Sequence, residues 1–131
     1  KVEGAGVLDI YTEPADKRFI GDTVIKSDII DSTIVGFTNH GGRTYINNYA
    51  PLGEVVTGFG NNSEDTGEGV QYKNVFATYL HGPLLPKNAK LCDYILEKTL
   101  REKYHDFEGL LPIDDELEDK AHKFILDRFQ K

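Results

Sequence analysis

The segment Val75-Phe76-Ala77-Thr78-Tyr79-Leu80-His81-Gly82-Pro83-Leu84-Leu85-Pro86 sets a histidine where a β-prone run gives way to glycine and proline. Gly and Pro punctuate regular elements, so His81 is expected at the open edge of a sheet, just ahead of a helix. In open α/β sheets that edge is where ligands bind. An imidazole there can take up and release protons near neutral pH, which makes His81 a candidate general acid/base. A turn histidine without chemistry would have the same local sequence, so the rest of the chain must decide.

The second candidate block is Gly36-Phe37-Thr38-Asn39-His40-Gly41-Gly42-Arg43-Thr44, also expected where a strand ends. Its paired glycines would let backbone approach a ligand closely. The planar guanidinium of Arg43 suits a bidentate grip on a carboxylate. An ordinary hairpin turn would also explain Gly-Gly beside Arg. Four histidines, His40, His81, His105 and His122, show neither paired spacing nor a Cys-x-x-Cys partner, so no zinc site is expected. The acidic, glycine-rich stretch 60–69 reads as a solvated hairpin tip and lacks the spacing of a calcium loop. Cys92 falls inside an amphipathic helical pattern, not on a tight turn that would activate a thiolate, so it is expected to be structural. No Gly-x-Ser-x-Gly, P-loop or Gly-x-Gly-x-x-Gly pattern occurs.

Composition narrows the classes further. The 131 residues make one domain at most, with 39% hydrophobic residues and a net charge of −7. No Lys/Arg stripe forms, which argues against nucleic acid and anionic membrane surfaces as partners. No apolar run approaches the roughly 20 residues needed to span a bilayer, and the start lacks a signal-peptide pattern. A single cysteine excludes an internal disulfide framework and fits a reducing cytoplasm. The chain contains no methionine, although a starting Met followed by Lys1 is not normally trimmed. It is therefore expected to be a piece of a larger polypeptide with a segment upstream.

The elements that must position these residues follow from periodicity. Strands are expected at 7–12, 19–27, 32–38, 54–59, 70–72 and 75–80, with a turn at 28–31. Asn88 can cap a helix running to about Tyr104, with Leu91, Ile95 and Leu100 on one face and Leu96 widening it. A second helix starts near Asp114, with Asp115 and Glu116 in its first turn and Arg128 and Lys131 near its end, as the helix dipole favours. Leu117, Ala121, Phe124 and Ile125 are its expected buried stripe, and His105 and His122 are expected at the surface. The fold class is α/β: a strand-rich first two-thirds followed by two helices, with no repeat or dividing linker.

Taken together, residues 36–44 and 77–88 resemble class I glutamine amidotransferases of the cobyric acid synthase-like (CobB/CobQ-type) branch. Within that branch the likeness is greatest to the glutaminase subunits of lipid II isoglutaminyl synthases. Residues 7–12 and the helix carrying Leu91 and Asp93 share it. It extends over nearly the whole chain but only the C-terminal half of the family's flavodoxin-like domain. The resemblance therefore implies that residues 1–131 are the C-terminal portion of one amidotransferase domain.

The resemblance further implies that His81 is the catalytic histidine and that Arg43 lines a glutamine pocket, with His40 and Gly41 beside it. The family's nucleophile is a cysteine on a Gly-x-Cys-x-Gly elbow, which this chain does not contain. Many class I members carry a glutamate two residues after the histidine, where Pro83 stands here. The acid that orients His81 must come from elsewhere, or the site works as a dyad. No cofactor is expected in this chain. The implied partner is a Mur ligase-like (MurT-like) synthetase, holding ATP and Mg, which would amidate the stem-peptide glutamate of lipid II with the released ammonia. The alternatives are a cobyric acid synthase-type amidotransferase domain and a non-catalytic interaction module with the same fold.

Overall fold

The computed structural model describes residues 2–129, so the expectation that Lys131 complements a helix end lies outside the described residues. Its spine is a long antiparallel hairpin of β1 (Tyr11–Ser27) and β2 (Ser32–Tyr45), joined by the turn at 28–31. β-Branched residues face each other across it, Ile25 opposite Ile34 and Val24 opposite Val35. Such cross-strand pairs fix register, because a one-residue slip would exchange the two faces. Asp31 closes the turn in the left-handed region with φ of 45°, a conformation its short polar side chain tolerates.

β3 (Gly53–Thr57) pairs with β1 and β4 (Gly67–Glu68) with β3, giving an antiparallel sheet in the order β2-β1-β3-β4. A separate hairpin, β5 (Val70–Tyr72) with β6 (Val75–Ala77), leads towards the helices. A short helical turn, Leu85–Lys87, then precedes α1 (Ala89–Lys103) and α2 (Glu116–Asp127). The order of strands first and two helices last agrees with the fold class read from sequence. No helix among the described residues is long and apolar enough to cross a membrane.

Alternation divides the hairpin into two packed faces. Ile25 and Ile34 join Leu52, Leu80 and Leu91 in one buried cluster, with Phe76, Leu84 and Ile95 packed on it. Val24 and Val35, one step along, point the other way and meet Ile125 and Leu126 of α2. The α1 face is therefore as expected for Leu91 and Ile95. On α2 only part of the expected stripe is buried: Ile125 is 6% exposed, whereas Leu117 and Phe124 are 75% and 65% exposed. The helix turns residues 121, 122, 125 and 126 to the hairpin, and the single-sided contact leaves its other apolar residues outside.

Three further expectations are corrected. The strand placed at 7–12 begins at Tyr11 and passes through Pro14 to Ser27, with a register shift between Pro14 and Phe19 that absorbs the proline. The strand placed at 75–80 stops at Ala77. Asn88 stands at the N-cap of α1 without capping it, because its side chain is bonded to strand β2.

Candidate functional site

His81 is held by its backbone. Two antiparallel bonds, Phe37 N–H to His81 O at 3.0 Å and His81 N–H to Phe37 O at 3.1 Å, attach it to β2. Leu80, just before it, is buried in the core cluster and lies against Gly36, where an added Cβ would come within 2.7 Å of the Leu80 Cβ. Gly82, just after it, has φ of 81°, a left-handed conformation that costs glycine nothing. Anchored on both sides, the His81 side chain itself is exposed. Its ring meets the Phe37 ring edge-on at 5.9 Å and makes no hydrogen bond among the described residues. An open cleft of about 610 Å³ lies beside it, lined also by Phe37, Asp22, Lys87, Phe124 and Arg128.

The second block does not form the turn its glycines suggested. Residues 36–44 lie inside β2, Gly42 opposite Pro14 and Arg43 opposite Glu13, so Gly41 and Gly42 are strand positions. Close approach explains Gly42: a Cβ there would come within 2.5 Å of Thr12 Cγ2. His40 is 7% exposed, its ring stacked on Tyr79 at 3.7 Å and edge-on to Phe19. Its Nδ1–H donates to Gly42 O at 2.8 Å, while Nε2 is buried without an aligned partner among the described residues. Burial lowers the His40 pKa below the ordinary histidine value, opposed mainly by the Gly42 carbonyl and assisted by the charge of Arg43.

Arg43 is 8% exposed and its guanidinium lies over the Phe19 ring at 3.5 Å. Its donors reach Gly42 O at 3.0 Å and Lys17 O at 2.6 Å. Arg43 stands six strand residues from Phe37, roughly 20 Å along β2, and lines no cleft with His81. Sequence reasoning passed over Arg18, which meets β2 at Asn39, closer to Phe37 than Arg43 stands. Arg128, which lines the His81 cleft, is ion-paired with Asp22. Arg18 is exposed and holds Asn39 through Nε to Oδ1 at 3.1 Å and Nη2 to the Asn39 carbonyl at 3.1 Å, alongside Gly41. Asn39 is two residues from Phe37, on the same face of the strand and about 7 Å along it. The signal for Arg18 lay in the pairing of β1 with β2, which no local pattern discloses.

The remaining candidates separate cleanly. Cys92 is half-buried on α1, and burial, then the neighbouring Asp93 and Asp115, raise its pKa, keeping it a thiol. His122 is no surface residue: Nδ1–H donates to Lys87 O and Nε2 accepts from the Thr33 hydroxyl, each at 2.8 Å, tying α2 to β2. His105 is exposed, as expected. The stretch 60–69 is not simply a solvated tip. Residues 63–66 are exposed, but Asn61, Asn62 and Glu68 are buried. Among the described residues no three His, Cys, Asp or Glu side chains gather in a way that could hold a metal ion.

The chain belongs to the CobB/CobQ-like glutamine amidotransferase domain family, whose sequence pattern matches residues 1–89. Among individual proteins, it is 52% identical over 128 residues to the subunit GatD of the glutamine-hydrolyzing lipid II isoglutaminyl synthase of Staphylococcus aureus strain N315. That match covers 98% of this chain and 51% of that protein. The corresponding GatD of Streptococcus pneumoniae strain ATCC BAA-255/R6 is 48% identical over 106 residues, covering 79% of this chain and 41% of that protein. The chain thus spans about half the length of the curated relatives it matches.

Proposed function

We propose that this chain carries the acid–base half of a glutaminase site, completed by a cysteine from a part of the protein beyond these residues. The thiolate adds to the carboxamide carbon of L-glutamine. As the tetrahedral adduct collapses, the C–N bond breaks and His81 protonates the leaving nitrogen, releasing ammonia and a γ-glutamyl thioester. His81 then takes a proton from water, whose oxygen attacks the thioester carbon to give glutamate and regenerate the thiolate. The observation that carries this reading is the His81 geometry: a fixed backbone and an exposed, unbonded ring at the edge of an open cleft.

Arg43, its guanidinium donating to two backbone carbonyls, braces strand β2 with His40 and Gly41 beside it, and so supports the glutamine pocket through the strand rather than lining it. Arg18, exposed beside Asn39, is the guanidinium placed to hold the α-carboxylate. The ammonia passes to a Mur ligase-like, MurT-like synthetase, which uses ATP and Mg to activate the stem-peptide glutamate of lipid II. Both relatives are GatD subunits of a glutamine-hydrolyzing lipid II isoglutaminyl synthase, which supports that assignment. Ammonia protonates in open water, so a docked partner and a sheltered path suit the chemistry. The single cysteine supports a cytoplasmic setting.

The deciding experiment is His81→Ala in the complete protein. Glutaminase activity is expected to fall about 100-fold or more, the low end for losing acid–base catalysis. The melting temperature is expected to hold, since the ring is exposed. Near-normal ammonia release by the variant would overturn the reading.

A further inference from the structure

Glu68 is 0% exposed at the end of β4, and none of the ion pairs among the described residues includes it. Burying a carboxylate without a counter-ion is costly, so its hydrogen bonds must carry the compensation. All of them go to one short segment. The Thr78 hydroxyl donates to Oε1 at 2.9 Å and Oε2 at 2.7 Å, and the Tyr79 N–H donates to Oε1 at 2.7 Å. Thr78 Oγ1 in turn accepts the Leu80 N–H at 2.9 Å. The next residue is His81, whose own N–H and C=O are spent on Phe37.

These residues have left strand β6, so their backbone donors have no ladder to join. A single carboxylate takes its place: it receives Tyr79 directly and Leu80 through the Thr78 hydroxyl. A carboxamide reproduces this only in part. With its oxygen at the Oε1 place it still accepts from Tyr79 and Thr78, but at the Oε2 place it sets an N–H donor 2.7 Å from Thr78 Oγ1, where an acceptor now stands. The imidazole makes no bond to Glu68, so any influence on it runs through the backbone.

We propose that Glu68 is a positioning residue for His81, setting the path of residues 78–80 so that the imidazole stands at the cleft. This rests on the glutaminase reading.

The test uses the complete protein and compares wild type with Glu68→Gln, Thr78→Val, Thr78→Ser and His81→Ala. Glu68→Gln and Thr78→Val are expected to lower kcat for glutamine hydrolysis by about 10- to 100-fold, the range for a misplaced catalytic group, with KM little changed. Thr78→Ser keeps the hydroxyl and should restore kcat to near the wild-type value. A folded Glu68→Gln with wild-type kcat would overturn the proposal, as would Thr78→Ser failing as badly as Thr78→Val. If Glu68→Gln does not fold, the Thr78 pair still decides. Hydrogen exchange gives a readout that needs no activity. Protection of the Leu80 amide should be lost in Thr78→Val and kept in Thr78→Ser, and unchanged protection in both would remove the positioning role. A wild-type protein without glutaminase activity, or an unaffected His81→Ala, would instead sink the glutaminase reading and leave the exchange result to judge Glu68.

Discussion

The side chain of Asn88 closes a two-bond ring on the backbone of Val35. The Val35 N–H donates to Asn88 Oδ1 and Asn88 Nδ2 donates to Val35 O, both at 2.8 Å, as a neighbouring strand would. Nδ2 also reaches Leu84 O at 2.7 Å. One carboxamide therefore satisfies β2 at the point where α1 begins, and fixes both to the segment following His81.

Replacing Asn88 with Ala would leave two buried backbone groups, the N–H and C=O of Val35, without partners, while Leu84 O keeps the Lys87 N–H. Each orphaned group costs about 1–3 kcal/mol, so Asn88→Ala is expected to destabilise the protein by about 2 kcal/mol or more. Asn88→Asp keeps the acceptor for Val35 N–H but sets a carboxylate against two carbonyls. Urea unfolding should find it destabilised too, and increasingly so as pH rises and the aspartate ionises. Wild-type stability in either variant would contradict the bonding described.

The two arginines should separate by phenotype. Arg43 is buried on Phe19 with two backbone acceptors, so Arg43→Ala is expected to lower stability by about 1–3 kcal/mol, the scale of a lost cation–π contact and lost bonds from a charged donor. Arg18 is exposed, so Arg18→Ala should leave the melting temperature nearly unchanged and raise KM for glutamine about 10-fold or more, the scale of a lost charge-assisted bond. Steady-state kinetics beside thermal unfolding reads both. A KM defect confined to Arg43→Ala would return the carboxylate to Arg43.

How far the sequence discloses the fold depends on how local the cause is. The β1–β2 turn, the inward alternation of Val24, Ile25, Ile34 and Val35, and the α1 face are set by neighbours within a few residues, and periodicity finds them. Gly41-Gly42 has turn chemistry, yet β1 returns from nearly thirty residues away and pairs it into a strand. Asn61 lies in a loop of polar composition, yet it is buried because its carboxamide bonds Gly69 in both directions, at 2.7 and 2.9 Å. On α2, the apolar residues on the face turned away from the hairpin are indistinguishable in pattern from those that pack. The same division runs through the site. His81 is marked by its Gly/Pro punctuation, whereas Arg18 and Glu68 are recruited by pairings that span 21 and 10 residues.

Gly36 tests whether the core positions His81. An Ala at that position would press its Cβ to 2.7 Å from the Leu80 Cβ and 3.3 Å from the Leu80 Cα, so the chain leading into His81 has to move. Overpacking of this kind costs about 1–3 kcal/mol, and a displacement near 1 Å can cost about 100-fold in rate. Gly36→Ala is therefore expected to lose glutaminase activity out of proportion to its loss of stability. Activity falling only in line with the unfolded fraction would show that Leu80 does not transmit the strain.

Burial without a counter-ion raises the Glu68 carboxyl to about 7, the hydrogen bonds from Thr78 and Tyr79 offsetting only part of the cost. The sign of the stability effect follows. Between the unfolded value of about 4.3 and the folded value, the folded chain binds the proton more, so stability falls as pH rises through that window. Below it the penalty for a buried charge vanishes, and above it the penalty is complete, on the order of 3 kcal/mol. Glu68→Gln carries no such charge. The difference in unfolding free energy, wild type minus Glu68→Gln, should therefore decline from pH 4.5 to pH 7 and stay level beyond it. A difference that is flat across those pH values, measured by urea titration of the complete protein, would mean that Glu68 ionises as an ordinary carboxylate and is not held as described.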